Sequence, residues 1–157
     1  MIWSYHHHAP KWSPAGTLLL FDNGAARARP FDPALTAEQG FSRALEYAID
    51  EEAGTLREVW SYGGPGPNDE RFLSAYISDV DWLPQTGNIL VTKGGRVRDF
   101  DGNVLMFPEE GHNWITLTEV THTMPARKIW EAVIDDPRWG MAAFRAERIE
   151  SLYWGAP

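Results

Sequence analysis

The chain repeats itself at an offset of 70 residues: Trp12 and Trp82 share that spacing, as do Pro14 and Pro84, Arg57 and Arg127, and Trp60 and Trp130. At the same offset Leu19-Leu20-Phe21 falls on Ile89-Leu90-Val91. A repeated unit has an apolar face it cannot bury by itself, so the copies must pack against one another or against further copies.

Each copy reads as a run of short strands. In the first, the arm His6-His7-His8 leads through Pro14-Ala15-Gly16 to an apolar run at 17–21, closed by Asp22-Asn23-Gly24. Turn residues on both sides of an apolar run predict a β-hairpin. A long loop follows at 25–40, carrying Arg27 and Arg29, and then strands at 42–50 and 55–62 around Glu51-Glu52-Ala53-Gly54. The stretch 63–69, rich in Gly and Pro, breaks the pattern. The second copy predicts strands at 75–83, 88–92, 114–122 and 127–134, with a glycine- and charge-rich loop at 93–111. The tail, 142–154, mixes helix and strand formers and is read mainly as a closing strand. The expectation is all-β: two four-stranded antiparallel β-propeller blades, one over about 3–63 and one over about 75–135, with a two-sheet sandwich as the plainer alternative. Trp12, Trp60, Trp82 and Trp130 recur with the copies and read as core.

Charge and composition remove several function classes. The 157 residues carry a formal net charge of −8, a poor overall field for nucleic acid. There is no cysteine, hence no disulfide, thiol nucleophile or Cys-zinc site. No apolar run reaches the roughly 20 residues of a membrane span. The opening Met-Ile-Trp-Ser-Tyr reads as mid-strand rather than as a leader, which suggests a fragment.

His8 followed by Gly16-Thr17 and Phe21-Asp22-Asn23-Gly24, then Ser42-Arg43-Ala44-Leu45-Glu46-Tyr47-Ala48-Ile49-Asp50 and Val59-Trp60-Ser61-Tyr62-Gly63, resembles the bacterial arylsulfate sulfotransferases. The resemblance runs from Trp3 to Gly63 and more loosely through Ser78–Pro84 to 145–149. It implies a six-bladed propeller of which this chain supplies about two blades. It also implies a periplasmic or secreted location, no cofactor, and PAPS-independent sulfuryl transfer from an aryl sulfate to a phenol through a sulfo-histidine. Remaining blades or a second copy are the implied protein partners. By resemblance His8 lines the site and binds sulfuryl oxygens, and Arg27 lies near an anion-binding arginine, with Arg29 close by. The resemblance sets the sulfated histidine shortly after a glycine pair, yet Gly94-Gly95-Arg96-Val97-Arg98 contains none. Either His112 from the long loop takes that role, or another histidine does, or the fragment is inactive.

The residue types suit this chemistry. Sulfuryl transfer resembles phosphoryl transfer, spreading charge over three equatorial oxygens that fixed cationic donors can hold. An imidazole can attack sulfur and leave again, and Trp3, Tyr5 and Trp114 are candidates to stack on the phenol. Plainer readings stand beside these. The histidine run could be an expression remnant, or His6 and His8 could share a strand face as weak metal ligands. His112 could be an exposed loop residue, and His122 structural. Arg27 and Arg29 could be solvated charges, and Asp22-Asn23 simple turn chemistry.

Overall fold

The computed structural model describes residues 2–66 and 69–153, so Pro67, Asn68 and the tail's Trp154 lie outside the described residues. It holds two antiparallel sheets. The first runs in the order β1 (His8–Trp12), β2 (Leu18–Asp22), β3 (Arg43–Asp50), β4 (Thr55–Tyr62). The second runs β5 (Asp79–Leu83), β6 (Asn88–Arg98), β8 (His112–Val120), β9 (Lys128–Ile134), and the short β7 (Val104–Leu105) pairs with β6. Among the described residues no helix is long and apolar enough to cross a membrane.

The predicted strands are present with shifted ends. β5 starts at Asp79 rather than 75, and β6 runs on to Arg98 rather than stopping at 92. The tail differs in kind: residues 142–153 form no strand. They are held to the second sheet by scattered bonds instead, Ala143 N to Gly94 O at 3.2 Å and Ala146 N to Thr92 Oγ1 at 3.2 Å.

The core lies between the sheets. Leu19, Phe21, Ala44, Trp60 and Tyr62 of the first sheet meet Val80, Ile89, Val91 and Val120 of the second, with Phe72 between them. Leu19 and Ile89 therefore face each other rather than the same way. Copies that stack in one sense present equivalent residues in the same direction, which matches the Leu18/Leu20 face to the Ile89/Val91 face. The cause is the turn: Pro84-Gln85-Thr86-Gly87 is one residue longer than Pro14-Ala15-Gly16, and a one-residue slip exchanges the faces of a strand.

The four repeated tryptophans are separated by which face of each sheet is covered. Trp60 is buried and Trp82 packs on the core, but Trp12 is 64% and Trp130 50% exposed. Trp12 pairs with Leu18 and Trp130 with Glu119, so each sits on the outward face of its sheet. The joint itself is polar at its rim. His122 Nε2 bonds the buried Glu46 carboxylate, and its ring lies 5.5 Å from Trp60 and 4.8 Å from Trp82. His122 is thus a joint residue, in keeping with its structural reading.

A buried ammonium marks another part of the joint. Lys93 is fully buried, 4.4 Å above the Phe72 ring, and donates to Glu70 at 2.9 Å and Glu131 at 3.4 Å. Burial pulls its pKa below the ordinary lysine value even with those partners. Burial alone would push Glu70 up, but bonds from Lys128, Lys93 and Tyr62 outweigh it and hold that carboxyl at about 2.

Two predictions follow from the packing. Trp60→Ala should lower unfolding free energy in urea by about 3–5 kcal/mol, while Trp130→Ala costs less than about 1 kcal/mol on its open face. Equal losses would contradict the assignment of faces. The Glu70 carboxyl is depressed from 4.5 to about 2, so its stabilisation is complete above about pH 4.5 and is lost as pH falls toward about 2. Acid titration followed by circular dichroism should show that slope in the parent chain and a shallower one in Glu70→Gln.

Candidate functional site

The end of β2 carries two fully buried polar residues in succession, Asp22 and Asn23, and they reach different parts of the molecule. Asp22 gathers the first sheet's outer face. Its Oδ1 accepts from Tyr5 N at 2.8 Å and Arg27 Nη2 at 2.8 Å. Its Oδ2 accepts from Arg27 Nη2 at 2.7 Å, Arg43 Nε at 3.0 Å and Arg43 Nη2 at 2.8 Å. Arg27 also donates to the Trp3 carbonyl and lies 4.5 Å over the Phe41 ring, while Arg43 donates to Ile2 O at 2.8 Å. The N-terminal arm is thereby tied across a face that buries Leu20, Leu45 and Tyr47.

Asn23 turns toward the second sheet. Its Oδ1 meets His8 Nδ1 at 2.6 Å, and its Nδ2 donates to Ser74 O and Ile77 O, each at 2.7 Å. Its backbone carbonyl accepts from Ser42 Oγ at 2.7 Å. Gly24 follows at φ 67°, where a Cβ would stand 2.1 Å from the Phe41 carbonyl oxygen, so no larger residue fits.

His8 itself sits at an irregularity. It pairs with Phe21 while Lys11 pairs with Leu19, so β1 carries one extra residue between them, and Ala9 there has φ 52°. Such a bulge re-aims the side chain beside it. His6 lies before β1 at φ 52°, so strand alternation does not put it on a common face with His8. Among the described residues no group of three or more His, Cys, Asp or Glu could hold a metal.

The six residues singled out in the sequence fall into three places. Trp3, Tyr5 and Arg27 line one cavity of about 540 Å³, together with Arg29, Phe41 and Leu35. His8 is not among its lining residues; it stands with Asn23, and the Phe144 ring meets it edge-on at 6.1 Å. His112 and Trp114 belong to β8 of the second sheet. His112 Nε2 bonds Asp135 at 2.6 Å and thereby holds that carboxyl below its ordinary range. Trp114 is 8% exposed and carries Arg96 and Arg98 against its ring, at 4.6 and 4.8 Å. Its π-face is already covered by guanidinium. Gly94 and Gly95, where no histidine stands, are closely approached: a Cβ would lie 1.8 Å from Ala143 O and 2.2 Å from Tyr76 O.

Sequence reasoning gave Asn23 to the turn and overlooked Arg43. No local signal distinguishes this Asp-Asn from ordinary turn chemistry before a glycine.

The arylsulfotransferase (ASST) family profile matches residues 1–129. The chain is 37% identical over 98 residues to the arylsulfate sulfotransferase AssT of Escherichia coli O6:H1, a stretch that is 62% of this chain and 16% of the relative. It is 43% identical over 91 residues to the arylsulfate sulfotransferase AssT of Lelliottia amnigena, 58% of this chain and 14% of that protein. The match therefore spans about a sixth of these curated relatives.

The Asp22 cluster generates a prediction of its own. Asp22→Ala strands two buried guanidinium groups, so unfolding free energy should fall by about 3–5 kcal/mol, and the arm before His8 should become open to limited proteolysis. An arm that resists cleavage in the variant as in the parent would show that something else holds it.

Proposed function

We propose that this chain, which belongs to the arylsulfotransferase family, carries the reacting end of an enzyme that moves a sulfuryl group from an aryl sulfate to a phenol, with His8 as the group that is sulfated. The observation behind this is the state of the His8 ring: Nδ1 is engaged by Asn23 at 2.6 Å, and Nε2 is the nitrogen available to an incoming sulfur. In the first half-reaction Nε2 attacks sulfur and its bond to the donor's phenolate oxygen breaks. In the second, the acceptor oxygen attacks the same sulfur, the Nε2–S bond breaks, the acceptor's proton passes to solvent, and neutral imidazole returns. An aryl oxide is a stable leaving group, which limits the need for general acid help.

The cavity lined by Trp3, Tyr5 and Arg27 has the apolar, aromatic walls that hold a phenol, yet His8 does not line it, so it is read as a holding place for a ring and not as the seat of transfer. Arg27 enters this reading as a wall of that cavity, its charge balanced by Asp22 at 2.7 Å. His112 is given no step. A donor for the sulfuryl oxygens is then sought outside Asp22's reach, in further parts of a longer protein.

A propeller is proposed as the fold on a repeated detail. Glu46 stands opposite Trp60 in the first sheet, and Glu119 stands opposite Trp130 in the second. The first pair is covered by His122 and Trp82, while the second borders a groove of about 600 Å³ with Leu90 and Leu117. A further sheet stacked in the same sense would cover it as the first joint is covered. The compartment, periplasmic or secreted, is carried with the family reading.

The second reading, a non-catalytic β module that binds a partner, is favoured by Arg27's engagement with Asp22. The test is p-nitrophenyl sulfate mixed with the protein and phenol. Nitrophenolate release with ping-pong kinetics, one SO3 group recovered on the His8 peptide after donor alone, and loss of both in His8→Ala is the expected result. His112→Ala should keep activity. Release at the blank rate, or release unaffected in His8→Ala, would favour the binding module.

A further inference from the structure

We infer that Asn23 is the positioning residue that fixes which His8 nitrogen carries the proton, and that it does so because the segment leading into the second sheet locks its amide. The inference rests on the sulfuryl-transfer reading of His8 for its catalytic meaning, but not for its geometry.

The argument begins with a side chain that has no freedom. Asn23 is fully buried, and its Nδ2 lies 2.7 Å from two carbonyl oxygens, Ser74 O and Ile77 O. A carbonyl only accepts, so the atom between those two must be the amide nitrogen. Turning the amide over would press Oδ1 against both oxygens and leave the NH2 facing the ring. Oδ1 is thus the atom facing His8, and it too only accepts. His8 Nδ1, at 2.6 Å, must then hold the hydrogen. In the neutral ring that leaves the lone pair on Nε2, the nitrogen that can attack sulfur. The opposite tautomer would put two lone pairs face to face in a buried place.

The lock is built from both sheets. Ser42 Oγ donates to Asn23 O and accepts from Ser74 N at 2.8 Å. Ser74 Oγ and Ser78 Oγ lie 2.9 Å apart and accept from Gly95 N at 2.9 Å and Gly94 N at 3.1 Å. Between them the backbone reverses, with Ile77 at φ 46° and Ser78 at φ 89°. A β-branched residue in the left-handed region is strained, and strain of this kind persists only where the surroundings over-determine it. Here they do. The strained turn is where the Ile77 carbonyl meets Asn23, so the second sheet sets the chemistry of a histidine on the first.

Long-range proton–nitrogen correlation on protein labelled with 15N-histidine, at a pH that keeps His8 neutral, reads the tautomer directly. The parent chain should show hydrogen on Nδ1 and a lone pair on Nε2. A hydrogen on Nε2 in the parent chain overturns the inference whatever any variant does. Asn23→Ala should lose the Nδ1–H signature, and a signature unchanged in that variant would overturn the inference. In turnover of p-nitrophenyl sulfate, Asn23→Ala should lower kcat roughly 100-fold with little change in KM. If the tautomer behaves as stated while the parent chain turns over no aryl sulfate, the positioning stands and the sulfuryl-transfer reading falls.

Discussion

A single pair of neighbours, Asp22 and Asn23, divides the work at the end of β2. Both are fully buried, so each must find partners for every polar atom it brings inside. Asp22 finds them in two guanidinium groups and the backbone of the N-terminal arm. Asn23 finds them in an imidazole and two carbonyls of the segment before β5. One residue organises the outer face of the first sheet and the other ties that sheet to its neighbour. The consequence is a separation of the charged cluster from the imidazole. Arg27 is already neutralised on the Asp22 side, and the hydrogen bond His8 makes is to a neutral amide.

The same need to satisfy buried groups explains the joint between the sheets. Apolar strand residues supply most of it, yet Glu46 with His122, and Lys93 with Glu70 and Glu131, are polar pairs set into it. Such pairs add little net stability over a well-packed apolar surface, but they penalise any other register by leaving a charge uncovered. Two sheets of similar pattern can slide past each other. Fixed ion pairs at separate points make one arrangement far better than its neighbours, and the position of Ser74 and Ile77 against Asn23 depends on that arrangement.

Much of the scaffold was legible in the residues. The 4-4 strand pattern, the turns at Gly16 and Gly54 and the break after Tyr62 follow from alternation and turn chemistry, which are local signals. The faces were harder. Matching the copies at one constant offset hides a turn that is a residue longer in the second and shifts β6 by one, while Trp12 and Trp130 lie outside because each stands on the face turned away from the other sheet. The tail misled for a related reason: aromatic and β-branched residues near 149–153 suit a strand, but a strand needs a partner edge and those residues have none among the described ones. At the site, the histidine-bearing arm was visible in the residues, and the resemblance singled out His8 within it. Arg27 was visible too, but its engagement by Asp22 was not, since Asp-Asn before Gly is ordinary turn sequence. The buried carboxylate becomes apparent only once Arg43, on the next strand, is seen to point at the same oxygen.

The placement of His8 also bears on why a catalytic group would sit at a seam. A side chain on a single sheet edge has rotamer freedom on the open side, and its protonation follows solvent. At the meeting of two sheets, the bulge at Ala9 supplies the aim, β2 supplies the amide, and the strained turn at Ile77 and Ser78 supplies the acceptors that hold the amide in one orientation. No one of these elements is sufficient. Removing the second sheet would leave Asn23 free to flip, and the histidine free to choose its tautomer. The tautomer of His8 is therefore a property of the stacked pair of sheets, although the imidazole and its amide both belong to the first copy of the repeat.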